Sequence, residues 1–486
     1  MDGIARWINR QRGAREARSG ERPRRTREPV RKSREAGASI VEPAKAIGVL
    51  DSCEVLVVGG GPAGLACALT AARAGADVII MERFNCFGGV ITTVGMETLG
   101  WYRYEGTKDC EGSIGKELER VARGLGASRK FYYNDSECLD AEAFKSIADA
   151  LLVEAGVRPY LHIMAVDVIK DGPHVEAVVT ESKSGRKAIR CGYVVDCTGD
   201  ADVAFLSGCE CTRIAREESL GLTAVFNCAG VDSAAFLEHV RRDPKQYRDW
   251  GDDWCAATDK ESELPSPYLE TGGFHGSWSS LDAATGAATN LNLVHLKGFD
   301  ACDVRDLTAA EMEGRRRVGE CIRALNARLP GFEAAKLRNH AMTIGVRDSR
   351  KVVGRYNMTR EDVCGQGRHD DCIGIFPEFV DGYSVLLLPT TGRFFHVPLG
   401  ALVPRDPRVT ENVLVAGRCV AGDNISHASM RNMMACTVSG GGAGAAAAVA
   451  IRSGRRSIHE VDVRSVQAEL RRQGADLAGL EGGAAD

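Results

Sequence analysis

Three glycines spaced G-x-G-x-x-G, Gly59, Gly61 and Gly64, follow the apolar run 55–58 without a gap, and an acid, Glu82, stands 18 residues beyond the last of them. That set has the chemistry to hold a dinucleotide. Gly59 permits a tight turn, Gly61 lets the main chain approach a pyrophosphate at a helix N-terminus, and Gly64 allows close packing of helix on strand. Pro62 and Ala63 occupy the turn between them, and Glu82 would accept hydrogen bonds from ribose hydroxyls. The positioning elements are legible around the motif. Residues 65–74 read as a helix, Gly75 ends it, and 77–81 read as a second strand ending at the acid.

Arg83 and the pair Gly88-Gly89 come next, and this E-R-x(4)-G-G pattern resembles the large superfamily of two-domain FAD proteins of the glutathione reductase type. The resemblance implies FAD, with the glycine pair passing close to the flavin diphosphate. Further along, 141–154 read as a helix, 160–169 as a strand, and 175–179 and 187–190 as hairpin strands around Ser184-Gly185. Val166, on the first of these strands, joins the cofactor set. A buried strand at 193–196 then ends in Thr198-Gly199-Asp200, which matches the superfamily's second fingerprint. A third element near the C-terminus comprises the strand 412–419 with Gly417, then Asp423, then a glycine-rich helix start at 440–444 containing Gly440 and Gly444. In the superfamily a helix starting there points its positive end at the flavin ring. The same glycines superficially repeat a nucleotide fingerprint, but 433–439 make a poor strand and no second strand with a terminal acid follows. A built-in NAD(P) site is therefore not expected.

With the strings 344–350, 414–419 and 429–431, the chain looks like the FAD-dependent oxidoreductase family of bacterial flavoproteins over roughly residues 52–451. The resemblance implies hydride transfer at flavin N5 to or from a small organic substrate, with an external electron donor or acceptor. It places Arg347, Arg350, His427 and Arg431 near the flavin ring. An arginine there would clamp a carboxylate or stabilise developing charge, and His427 would exchange a proton. The alternative roles are structural: arginines on phosphate or carbonyl oxygens, and a satisfied core histidine.

The expected architecture is α/β, a Rossmann-like FAD-binding domain with a three-layer sheet arrangement and β-meander, plus an inserted α+β substrate or cap domain. Boundaries fall at 1–48 for a disordered basic arm, 49–211 and 401–455 for the two parts of the FAD domain, 212–400 for the cap, and 456–486 for a tail. Within the cap, 290–295 alternate as a strand facing the site, with His295 and Tyr356 as minor candidates. Residues 308–329 read as a helix with Thr308 as N-cap and Glu311 completing a capping box. Trp250, Trp254 and Trp278 cluster in a polar, glycine-rich region and read as loosely packed core rather than as the lining of an aromatic pocket.

Composition bounds the rest. Of 486 residues 44% are hydrophobic and 26% charged, which excludes disorder for the bulk of the chain. The best membrane-span candidate, 443–451, is about half the required length, so no transmembrane segment is expected. Seventeen scattered cysteines without Cys-x-x-Cys suggest reduced thiols in the cytoplasm, no metal and no thioredoxin-type disulfide chemistry. The first fifty residues carry 13 Lys/Arg against 6 Asp/Glu, net +7, which leaves −11 for the rest of a chain totalling −4. Two further function classes stay open: a flavoprotein subunit of an electron-transfer complex, and an RNA-binding flavoprotein using the basic arm. The acidic body argues against the second.

Overall fold

The computed structural model describes residues 27–30, 40, 42–103, 106–130, 136–242, 280–383, 385–389 and 392–480. Trp250, Trp254, Trp278 and most of the basic arm lie outside the described residues.

Val55 to Val58 offer water no polar side chain and form the buried end of β1 (Gly48–Val58). The chain turns at Gly59, whose φ is +103° and where a Cβ would stand 2.5 Å from Cys197 O. It enters helix α1 (Pro62–Arg73) with proline in the first turn and returns as β2 (Val78–Met81), parallel to β1. β3 (Arg158–Tyr160) extends the parallel layer beside β2. β4 (Met164–Asp171), β5 (His174–Glu181) and β6 (Lys187–Asp196) form the meander. One edge of β6 lies parallel on β1 along its whole length; the other takes β5 along its first half. The expected strand 160–169 is thus two strands, broken where His162 adopts φ +56°. Conversely, the expected hairpin strand and the strand ending in Thr-Gly-Asp are one, because β6 serves both layers.

The cap is a separate packing unit. β7 (Leu222–Ala229), β8 (Ser280–Asp282), β9 (Ala287–Leu296), helix α2 (Val304–Arg328) and β10 (Lys336–His340) enclose their own core, with Phe226, Leu291, Val318 and Phe332 fully buried. The sheet order is β8-β9-β7-β10, antiparallel throughout. α2 starts earlier than expected: Asp303 caps it by accepting from the amides of Arg305 and Asp306. Thr308 lies inside the helix with its hydroxyl on Val304 O, and Glu311 accepts from Ile344 N instead of closing a capping box. The cap's core ends at Ile344, whereas Met358 to Val403 pack into the body. The boundary expected at 400 therefore runs past the cap.

β11 (Val413–Val415) joins the free part of β6 in parallel, completing a seven-stranded sheet. α3 (Asn424–Met430) and α4 (Met433–Arg452) follow. α4 is long and apolar enough to cross a membrane by length and composition, contrary to the half-length expected, but 94% of its apolar window is buried inside the protein. It is the core helix against α1. Gly440 and Gly444 lie mid-helix, where a Cβ would stand 2.1 Å from Ala63 O and 2.3 Å from Cys67 O. They are not a helix start; their spacing lets the two helix backbones touch. Past α4, Leu470 and Leu477 also belong to the body core, so the segment beyond 455 is packed at least to there.

Among the described residues of the N-terminal arm, one short strand is anchored, against the expectation of disorder throughout. Glu28–Val30 pairs antiparallel with Cys211–Arg213, whose other edge pairs with Lys351–Val352.

Candidate functional site

A cavity of about 700 Å³ runs between body and cap. Two long helices begin on its wall without a side-chain cap, α1 at Gly61-Pro62 and α4 at Asn432-Met433. Asn432 turns its amide backward onto Ala428 O and Ser429 O. The other long helices that start after Ser113, Asp140, Asp303 and Asp462 are each capped by that side chain. Uncapped N-terminal amides facing a cavity are a ready partner for phosphate at α1 and for electron-rich ligand atoms at α4.

Main-chain shape completes the body end. Gly61 has ordinary backbone angles, φ −74° and ψ −172°, and a Cβ there would meet only Gly89 Cα at 3.8 Å. The bare position is not demanded by the chain's own packing, so it is room for a ligand. Gly89 lines the cavity beside it after a turn in which Gly88 has φ +108°. Glu82 follows β2, with one carboxylate oxygen accepting from Gly60 N at 2.7 Å and the other from Phe84 N at 3.0 Å, and each oxygen retains lone-pair capacity on a residue of the cavity wall. Arg83 follows on the wall. Val166 falls at a register shift between the pairs Ala165↔Thr180 and Asp167↔Val179, which takes it out of the β4–β5 pairing at the wall. Asp196 organises the Thr-Gly-Asp turn: one oxygen accepts from Thr198 N and Oγ1, the other from Ala204 N. Burial pushes its carboxyl up despite these bonds. These features fit a flavin dinucleotide, and Gly59, Gly61, Pro62, Ala63, Glu82, Arg83, Gly89, Val166, Thr198, Gly199, Asp200 and Gly417 are the wall residues that could hold it.

Besides Arg83, four arginines reach the cavity with different attachments. Arg418 pairs with Asp200 and donates to Val346 O; burial alone would raise the Asp200 carboxyl, but Arg418, Ser349 and Arg83 together hold it below the usual range. Arg350 pairs with Asp202, donates to Asp200 O at 3.0 Å and lies 4.5 Å over the Phe205 ring. Asp202 is pushed up to about 6 by burial and by its neighbours Asp200 and Asp196. Arg350 is thereby a brace of the cofactor turn. Arg431 donates to Asp381, both carboxylate and carbonyl. Arg347 donates to Asn292 Oδ1 at 3.2 Å and meets His295 Nε2 at 2.9 Å, facing the cap end.

His427 is corrected from a catalytic to a buried position. It is 0% exposed and off the cavity wall, with Nε2 3.0 Å from Arg347 O and Nδ1 2.7 Å from Lys351 Nζ. Burial, then the charges of Lys351, Arg27 and Arg431, hold its pKa well below normal. Asp423, Gly64, Gly88, Gly440 and Gly444 also lie off the wall. Asp423 caps α3 on Ser426 N, and Gly64 packs against Gly59 O as its motif position requires. Tyr356 is engaged with Asp362.

The sequence reading missed several wall residues. Among the described residues, Thr223 Oγ1 and Asn290 Oδ1 are buried without a hydrogen-bond partner on residues that line the cavity, and Asn290 is held at φ +59° beside register shifts in the β7–β9 pairing. The alternation of 290–295 gave the face but not the strain. Asp381 and Arg418 had no spacing signal. Among the described residues no cluster of three or more His, Cys, Asp or Glu is placed to hold a metal.

A thiamine thiazole synthase from Methanococcus aeolicus is 32% identical over 178 residues, covering 35% of this chain and 61% of that protein. A digeranylgeranylglycerophospholipid reductase from Methanopyrus kandleri is 30% identical over 154 residues, covering 30% and 39%. The chain thus spans about three-fifths or less of the length of the curated relatives it matches. A geranylgeranyl bacteriochlorophyll reductase-like structure from Thermoplasma acidophilum is similar over 87% of this chain and 83% of its own, at 13% identity and a TM-score of 0.41. The FAD dependent oxidoreductase family model matches residues 54–470, and the chain belongs to that family.

Proposed function

We propose that this oxidoreductase takes a small organic molecule into the cap end of the cavity and exchanges a hydride between it and the flavin, an external electron donor or acceptor completing the cycle. The observation that carries the reading is continuity. One cavity runs from the uncapped start of α1, past the start of α4, to the side chains of β9 and the segment 343–347. FAD, when bound, supplies the hydride and electron chemistry. The chain supplies binding and orientation. The start of α4 favours negative charge at its end of the cavity, and Arg431, fixed by Asp381, adds a charge on the same wall. Arg347, oriented by Asn292 and His295, is the group for aligning a carboxylate or other polar group of the substrate. Sixteen free cysteines among the described residues support a reducing compartment, which we take as the cytoplasm.

The test is the visible absorption spectrum of the purified protein, with heat-released cofactor identified, before and after anaerobic NADH or NADPH. A yellow protein releasing FAD is expected. Bleaching by a nicotinamide identifies a reductase with a transient donor site; no bleaching identifies an enzyme reduced by its own substrate or partner. A colourless protein that resists reconstitution sinks the reading. With a substrate in hand, Arg347→Met is expected to slow substrate-dependent flavin reduction by roughly 10²-fold while FAD stays bound.

A further inference from the structure

A buried ionic cluster lies directly behind the cavity wall, and none of its members touches the cavity. Arg27, from the N-terminal arm, is 6% exposed at its side chain, and its ion-pair partner Asp348 is 0% exposed. Arg27 Nη2 donates to Asp348 Oδ1 at 2.8 Å and to Tyr383 Oη at 3.1 Å, while Nη1 reaches Ser349 O at 3.4 Å. Tyr383 gives its hydroxyl proton to the second oxygen of Asp348. His427 Nε2 stands 3.4 Å from Asp348 Oδ1 and 3.0 Å from Arg347 O.

Each partner adjoins a wall residue. Asp348 and Ser349 sit between Arg347 and Arg350, and Tyr383 follows Asp381 and Gly382. Ser349 Oγ also donates to Gly199 O at 3.2 Å, in the turn that carries Asp200. Of the other basic groups nearby, Arg431 is paired with Asp381, and Lys351, which burial pushes down to about 7, has Nζ on His427 Nδ1 and Arg418 O. The main chain explains how a residue 321 positions upstream of Asp348 arrives there: Glu28–Val30 is laid on Cys211–Arg213, and that strand on Lys351–Val352.

We propose that Arg27 is a positioning residue of the FAD site: through Asp348, Tyr383 and Ser349 it fixes the three wall segments that carry Arg347, Asp200 and Asp381. A fully buried carboxylate deprived of its cation must take up a proton or draw in water, and either change releases the common tie of those segments. The proposal depends on the FAD site alone and is independent of the substrate.

The experiment titrates FAD into apo-protein by quenching of flavin fluorescence and records the visible spectrum of the bound flavin. Arg27→Met is expected to raise the FAD dissociation constant by about tenfold or more and to alter the flavin band. Arg27→Lys, which cannot reach Asp348, Tyr383 and Ser349 together, is expected to fall between it and the native protein. The double variant Arg27→Met/Asp348→Asn, which removes both buried charges, is expected to recover most of the affinity. Lys45→Met, on an exposed part of the arm, is expected to match the native protein. A purely stabilising role would lower the melting temperature of the apo-protein while the dissociation constant and spectrum of folded molecules stayed native. That result in Arg27→Met, or in Arg27→Lys should the methionine variant not fold, overturns the proposal.

Discussion

The two ends of the cavity are built from different materials. At the body end the wall is main chain: a glycine with room for a ligand, helix starts left uncapped, a bulged strand, and turns braced by Asp196 and Arg350. At the cap end the wall is side chains: Thr223, Asn290, Asn292 and His295 on an antiparallel sheet, and Arg347 on the segment beyond its last strand. A ligand recognised by main-chain approach restricts residue types sharply, because only glycine leaves the space. A ligand recognised by side chains restricts them loosely, because many polar residues fit a strand that alternates between core and cavity.

The harshest way to break this contrast is to attack glycines that serve the fold. A Cβ at Gly440 would meet Ala63 O at 2.1 Å, and both atoms belong to the two helices that hold the body together. Gly440→Val is expected to cost more than about 4 kcal/mol, read as loss of soluble folded protein or a large drop in melting temperature. A well-folded variant would show that the helices are not locked as described. Gly61→Val is the matched opposite. Its backbone angles suit any residue and its neighbours leave 3.8 Å, so the apo-protein is expected to melt near the native temperature while FAD affinity falls by roughly 10²-fold, about 3 kcal/mol. Equal loss in both variants would erase the distinction between structural and ligand glycines.

Glu97 tests the seam between the two ends. It lies in the body, accepts from Thr289 Oγ1 on β9 of the cap, and is pushed up from 4.5 to about 7 by burial, which outweighs Thr289 and the charge of Arg129. A folded pKa above the unfolded one means the folded protein holds the extra proton between those values. Stability from this group is therefore full below about 4.5 and lost as pH rises through 7. Melting temperatures taken from pH 5 to 8 are expected to fall less in Glu97→Gln than in the native protein, by an amount equivalent to at most about 3 kcal/mol. Parallel curves would mean that Glu97 ionises normally and the seam is wet.

Legibility followed the same divide. The strand, glycine turn, helix and acid at 55–82 are where the sequence places them, because each residue there has one physical job. The glycines at 440–444 were misassigned for an equally physical reason: close helix–helix packing and close cofactor approach both demand a missing Cβ, and spacing does not separate them. His427 was misplaced because residue type advertises proton transfer, whereas only burial reveals that it is bonded on both nitrogens. Arg27 was illegible altogether. Its charge looked like one of many on a solvated arm, and nothing local encodes a partner 321 residues away.

The smallest expected effect sharpens the cap side of the contrast. Asn290 holds φ +59°, a conformation glycine adopts without strain, yet a buried amide with an unpartnered oxygen occupies it. If the side chain served the fold, Asn290→Gly would be costly. If it serves a ligand, relief of backbone strain offsets the lost packing, and the melting temperature is expected to stay within about 1 kcal/mol of native stability with FAD affinity unchanged. A larger loss would make Asn290 part of the cap's own architecture and leave Arg347 and its neighbours Asn292 and His295 as the groups that meet the substrate.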